Sequence, residues 1–298
     1  MKKADNPFRK CLESGHFALT AELTPPRGTD LASLTEAANT LKPAVNAINL
    51  TDGAGARIRM SSLPAAIHVK QCGVEPVLQV TCRDRNRIAI QADLLGAAAF
   101  GVRNVLVLRG DDVGADGDAA AVFDFDSRSL LRAMREMEYG RTTSGDTLTS
   151  TPEFFCGAAD TPVEPNGNWS PESLLAKAEA GAQFVQTQFC FDMDLMARYM
   201  QALASHGLTD SLYFLVGLGP LRSANSARWM RDNLYGTIMP DGVIRRMEAA
   251  RDPRQEGIAI CAELLQAARD IPGISGAHLM APGQASAIVA SVQLAGML

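Results

Sequence analysis

Eight short apolar runs divide this chain, and each stops at a cluster of polar or small residues: 18–23 (ALTAEL), 45–50 (VNAINL), 75–81 (EPVLQVT), 103–109 (RNVLVLR), 153–157 (EFFCG), 183–189 (QFVQTQF), 212–217 (LYFLVG) and 274–280 (ISGAHLM). Rich in Val, Leu, Ile and Phe, they read as strands buried on both faces, as in a parallel sheet. Helical patterns lie between them. Leu31–Leu41 follows the cap candidates Thr29 and Asp30, and Ser61–Gln71 ends before Cys72-Gly73. Arg87–Phe100 stops at Gly101, Ser127–Tyr139 at Gly140, and Asp194–Ser205 before Gly207. Pro171–Ala180 runs from a Ser170 cap to Gly181. Alternation this regular predicts βα units with right-handed crossovers. Eight such units in 298 residues predict an α/β protein of one domain, 1–298, folded as a closed (β/α)8 TIM barrel. A doubly wound open sheet is disfavoured, because no GxGxxG follows the first run.

Two stretches break the rhythm. Residues 111–126 (DDVGADGDAAAVFDFD) read as a long loop, and 217–256 hold extra helical material before the last strand. Long loops after barrel strands belong to the functional face. The formal charge of −5 argues against nucleic acid or an anionic membrane surface as the main partner. Six cysteines without a CxxC pair and four histidines without zinc-like spacing predict reduced thiols and no metal site, in a cytoplasmic protein. Residues 1–20 hold no apolar core of a secretory signal, and no apolar stretch reaches membrane-spanning length. Self-association is left open.

Several strand ends carry candidate chemistry. Glu22, ahead of Pro25-Pro26, is a carboxylate in a partly apolar setting, able to act as a general acid. A solvated glutamate or an ion-pair partner is the plain alternative. Asp111 follows Arg109-Gly110; it could take the N–H edge of a heterocycle or make a local turn bond. Thr51-Asp52-Gly53 and Thr81-Cys82-Arg83-Asp84-Arg85-Asn86 end the next two strands. Arg83 and Arg85 could grip phosphate or simply pair with nearby carboxylates. Asn86 suits the cap of the helix beginning at Arg87. Gln186 and Gln188 share one strand face, where a satisfied polar pair and a carboxamide or pterin contact are both open. Lys177 reads as a phosphate contact or a solvated helix charge, and His278 as a core histidine or a catalyst. The methionines of 134–137 and 193–200 read as helix packing.

Taken in order, AELTPPR, INLTDGAGARIRMSS, VTCRDRNRIAIQADLLGA, GVRNVLVLRGDD and AGAQFVQTQFCFD are similar to the methylenetetrahydrofolate reductase family. The resemblance runs from about residue 18 to residue 192 and more weakly beyond. It implies a barrel that holds FAD at the C-terminal ends of its strands and takes NADH or NADPH as co-substrate. It also implies 5,10-methylenetetrahydrofolate as substrate and 5-methyltetrahydrofolate as product. Carried over by motif, Glu22 would be the general acid, and Asp111 would hold the pterin beside the flavin. Thr51, Asp52, Gln79, Thr81, Arg109, Gly110, Ala158 and Lys177 would line the cofactor site, Lys177 through the FAD phosphates. Gln188 and Gln284 would contact the substrate.

The chain departs from one branch of that family at several points. Gln79 stands for a histidine, Asp52 for an aromatic residue, Gly157-Ala158-Ala159 for a segment with a tyrosine, and Gln284 for an arginine. Ser170, Ser173 and Ala176 stand at further cofactor positions. These departures leave FAD affinity and nucleotide preference open. Two other functions remain: direct hydride transfer from NAD(P)H without flavin, and a folate-binding partner subunit with no activity of its own.

Overall fold

The structure, a computed structural model, describes residues 6–114, 119–167 and 169–298. Its strands are β1 (Ala18–Leu23), β2 (Ala47–Leu50), β3 (Pro76–Thr81), β4 (Asn104–Leu108), β5 (Phe155–Asp160), β6 (Phe184–Phe189), β7 (Tyr213–Leu218) and β8 (Ile274–Leu279). Its helices are α1 (Pro7–Glu13), α2 (Ala32–Leu41), α3 (Ser62–Gln71), α4 (Arg87–Ala99), α5 (Ser127–Glu138) and α6 (Glu172–Ala180). There follow α7 (Met193–Ser205), α8 (Leu208–Ser211), α9 (Ala224–Asn233), α10 (Asp241–Ala249), α11 (Pro253–Arg269) and α12 (Ala285–Leu294). The strands pair in sequence order, all parallel, and β1 closes on β8, so the sheet is the closed eight-stranded barrel that the alternation predicts.

Most element boundaries fall within two residues of the sequence reading, and the exceptions have local causes. β5 runs on to Asp160 rather than stopping at Gly157. Gly-Ala-Ala-Asp has little strand preference of its own, but pairing with β4 and β6 on both sides carries the backbone through. Ser170 does not cap α6; the helix starts at Glu172 with Pro171 at the cap position and no side-chain bond. Asp30 holds the amide of Ala32 one step outside the formal cap of α2, at 2.9 Å. Asn86 caps α4 by accepting from the amide of Ala89. Of the loop expected over 111–126, residues 115–118 lie outside the described residues.

The barrel interior is layered. At the N-terminal end Ala18, Ala47, Val77, Leu106, Phe155, Phe184 and Leu215 fill the lumen, and α1 seals it from below with Phe8 and Leu12. Phe8 meets the Phe155 and Phe184 rings edge-on at 5.8 and 5.4 Å, while Phe155 and Phe184 stack at 5.0 Å. Gly157 makes room for that stack, since a Cβ there would lie 2.2 Å from the Phe184 ring. Above this floor sit four buried polar residues, Thr20, Asn49, Gln186 and His278. The barrel therefore opens at its C-terminal end only. The outer core, between strands and helices, is apolar and includes Val80, Ile90, Leu94, Val105 and Val185.

The extra helical material before the last strand is α9 and α10. They pack on Phe189, Phe191, Leu221 and Ile260 as a satellite core, which raises a wall on the β6–β7 side of the mouth. Among the described residues no helix is long and apolar enough to cross a membrane. Truncation of the plugging ring, Phe184→Ala, should cost about 3–5 kcal/mol of stability in urea unfolding. A loss below about 1 kcal/mol would contradict a packed floor.

Candidate active site

Alternation along β1 points Ala18, Thr20 and Glu22 into the barrel, at rising depth toward the mouth. Glu22 is held there by two neighbours. Its Oε2 accepts from Gln79 Nε2 at 3.0 Å and lies 3.8 Å from His278 Nε2. His278 is itself fixed from behind, with Nδ1 2.9 Å from Thr20 Oγ1. Thr20 also accepts from Gln186 Nε2 at 3.0 Å, and its own proton has His278 Nδ1 as an acceptor within reach. In the arrangement that satisfies every group, the imidazole proton then sits on Nε2 and faces Glu22. Gln186 and Asn49 exchange two amide bonds, at 2.7 and 3.1 Å, which fixes the Gln186 amide. Of the two glutamines on β6, Gln186 thus belongs to the satisfied buried layer, and Gln188 stands above it.

These side chains form the base of a cavity of about 430 Å³, of the size that small-molecule sites usually have. Glu22, Gln79, Asp111, Asp160, Gln188 and His278 supply its polar groups, and Leu106, Leu108 and Met280 its apolar ones. Residues from the first strand to the last thus converge at one rim. Asp111 reaches it from the loop after β4. Its Oδ2 accepts from the amide of Gly55 at 2.8 Å, and its backbone oxygen from Arg83 Nη1 at 3.0 Å. The turn that offers that amide needs left-handed backbone at Gly53 and Gly55, with φ of 56° and 67°. Gln188 donates to the Tyr235 carbonyl at 3.1 Å and accepts from the amide of Phe189 at 3.0 Å.

The remaining residues singled out from the sequence are placed differently. Asp52 and Thr81 bind each other: the Asp52 carboxylate takes the Thr81 amide at 2.9 Å and its hydroxyl at 3.1 Å, together with the Arg85 guanidinium. Arg83 grips Asp84 with two bonds of 2.6 and 2.7 Å, and Arg85 also pairs with Asp93, so both arginines pair with neighbouring carboxylates. Gly110 has φ +93°, and a Cβ there would crowd Arg83 at 3.0 Å and Thr81 at 3.2 Å. Arg109 is exposed, bonded to Asp112 at 2.7 Å and lying over the Phe123 ring at 4.6 Å. Thr51 is buried on the inner face with an unpartnered hydroxyl. Ala158 faces the outer core and is fully buried there; Ala159 and Asp160 are what β5 contributes to the cavity. Lys177 is half-buried and donates to the Ala159 carbonyl at 2.7 Å. Gln284 stands at the cap position of α12, outside the residues that line the cavity.

The residues missed by the sequence reading are Thr20, Asn49, Asp160 and Tyr235. Thr20 and Asn49 each interrupt an apolar run, the same signal that marked Gln186. Asp160 lies three residues beyond the strand end that the sequence predicts. Tyr235 sits on the wall after α9, and nothing in its surroundings marks it. Among the described residues no cluster of His, Cys, Asp or Glu is suited to a metal.

Asp160 has a displaced proton affinity. Burial pushes it up, against partial relief from the Tyr199 hydroxyl at 2.6 Å and the nearby Lys177 ammonium. Burial in turn pulls Lys177 down. A carboxyl whose folded value exceeds its unfolded one contributes most below the ordinary aspartate pKa of about 3.9. That contribution is lost as pH rises through the folded value. Asp160→Asn keeps an acceptor for Tyr199 but cannot ionise. The variant should therefore gain stability relative to the parent as pH rises above about 4 in urea unfolding, whereas parallel pH profiles would contradict the assignment.

Comparison with known proteins gives the family. A family model described as methylenetetrahydrofolate reductase matches residues 7–296. A probable methylenetetrahydrofolate reductase (NADPH) of Caenorhabditis elegans is 28% identical over 176 residues, covering 58% of this chain and 24% of that protein. Methylenetetrahydrofolate reductase 2 of Schizosaccharomyces pombe is 25% identical over 267 residues, covering 83% of this chain and 39% of that protein. The chain thus spans well under half the length of these two relatives. Among solved structures, a Clostridium thermocellum protein shares the fold with a TM-score of 0.62 at 13% identity, over 96% of each chain. With the family model matched over nearly its whole length, the chain belongs to the methylenetetrahydrofolate reductase family.

Proposed function

We propose that this chain reduces 5,10-methylenetetrahydrofolate to 5-methyltetrahydrofolate with NAD(P)H through bound FAD, with Glu22 as the general acid. The observation that carries the reading is the placement of Glu22. It is four-fifths buried, held by Gln79, faced by His278, and shares one cavity with Asp111 and Gln188. The Clostridium thermocellum protein of the same fold binds two copies of 5-methyl-5,6,7,8-tetrahydrofolic acid, which supports folate as a ligand of a barrel of this kind.

The substrate must open its five-membered ring before it can accept hydride. A proton delivered to N10 breaks the bond from the bridging carbon to N10 and leaves a cation at N5. Glu22 is the group placed to deliver that proton, and Gln79 and His278 keep its carboxyl pointed into the cavity. General acids so positioned contribute about 10²–10⁴-fold in rate. Asp111 and Gln188 offer acceptor and donor groups to the edge of a pterin, and the carboxamide of Gln188 also suits nicotinamide. Leu106 and Leu108 supply apolar contacts for a flat ring, so the mouth fits an isoalloxazine as well as a pterin. A bound flavin would supply the hydride.

Direct hydride transfer without flavin has one observation in its favour. Lys177 and Arg109, the cations expected at the FAD site, are both bonded within the chain. The spectrum of the washed protein separates the readings: absorbance near 450 nm, bleached by NADH, is expected for the flavoprotein. Glu22→Gln should slow folate reduction by about 10²–10⁴-fold while flavin reduction by NADH stays within about twofold. Survival of both half-reactions would remove Glu22 from the chemistry.

A further inference from the structure

Beside the mouth lies a second cavity, about 730 Å³, between the segments that follow β1, β2 and β3. Five arginines line it, Arg27, Arg57, Arg59, Arg83 and Arg85, against the carboxylates of Asp52 and Asp84. On a chain of net charge −5 this is a local concentration of the opposite sign. Arg83 and Arg85 are the two already paired. Arg27, Arg57 and Arg59 have no carboxylate partner among the described residues.

The backbone holds these three together. The Met60 amide donates to the Pro26 carbonyl at 2.9 Å, and Arg59 Nη1 to the Pro25 carbonyl at 3.3 Å, which ties the loop after β1 to the one after β2. Arg57 has extended backbone, and Arg57 and Arg59 both line the cleft. Two guanidinium N–H groups of the lining, Nε of Arg59 and Nε of Arg85, are buried without an acceptor. Buried donors are normally satisfied, and guanidinium groups are satisfied best by forked oxyanions. Ile58, 87% exposed, and Met60 give the cleft an apolar wall as well.

We propose that this cleft binds an oligoanion, as the charged arm of a ligand whose ring occupies the barrel mouth. Gly53 and Ala56 line the cleft, while Asp111, bonded to Gly55 between them, lines the mouth, so the two cavities adjoin at that turn. Phosphates of a nucleotide and the carboxylates of a γ-glutamyl chain share the required chemistry. The link to the mouth rests on the reductase reading; the anion site itself does not.

Calorimetric titration of the full chain with inorganic pyrophosphate tests the site without turnover. Binding is expected, and the double variant R27Q/R57Q should weaken it at least about tenfold, since each substitution removes a charge-assisted bond. Both residues are exposed, and an unchanged melting temperature shows that the fold is intact. Arg132→Gln, an exposed arginine of α5, should leave the affinity unaltered. Displacement of pyrophosphate by ADP identifies a nucleotide phosphate arm, and displacement by tri-γ-glutamate a carboxylate arm. No binding, equal binding to R27Q/R57Q, or displacement by neither competitor would overturn the proposal. Pyrophosphate binding in a protein that fails to reduce methylenetetrahydrofolate would reject the reductase reading and leave the cleft standing.

Discussion

Thr20, Asn49, Gln186 and His278 cross the barrel lumen as one hydrogen-bonded layer, and everything above them depends on its being complete. Each is buried, and a buried polar group without a partner costs about 1–3 kcal/mol. Here the bonds run between β1, β2, β6 and β8, so no strand can satisfy its own polar residue. Closure of the sheet and satisfaction of the layer are therefore one requirement. The layer also sets the depth of the cavity: Phe155 and Phe184 fill the space beneath it, and the first open volume is the one in which Glu22 stands.

The same layer fixes the direction in which the Glu22 carboxyl points. A glutamate at a strand end is ordinarily free to turn into solvent. Gln79 from β3 and His278 from β8 approach the same carboxyl oxygen from two strands. His278 takes its orientation from Thr20, and Thr20 from Gln186. The histidine that reads from the sequence as either core or catalyst is thus buried in the core and faces the acid as well.

Much of this architecture is legible in the chain because a barrel strand needs a run of apolar residues and a barrel helix needs an end. Gly101, Gly140 and Gly207 have left-handed backbone, which is why they mark helix ends so clearly. β5 was harder to delimit, because Gly157-Ala158-Ala159-Asp160 is a strand through pairing with its neighbours and not through preference. A strand end set at Gly157 leaves Asp160 out of view, and Ala158, a cofactor position only by family resemblance, is turned outward by alternation. Asp52, Thr81 and Arg85 show a different limit: composition identifies polar groups at a rim, but not that they bond to one another. Asn86, by contrast, is a cap by position alone, and the structure uses it as one.

The mouth and the arginine cleft divide the rim by charge. Glu22 and Asp111 line the barrel mouth, and the guanidinium groups lie beyond the turn at Gly53–Gly55. A pterin or flavin ring suits the first and an anionic arm the second. The most direct measurement is a crystal structure of the protein with 5-methyltetrahydrofolate. The account predicts the pterin in the barrel mouth, with N10 within hydrogen-bonding reach of Glu22 and the pterin edge at Asp111 and Gln188. A folate bound elsewhere on the molecule, or one turned with N10 away from Glu22, would contradict it.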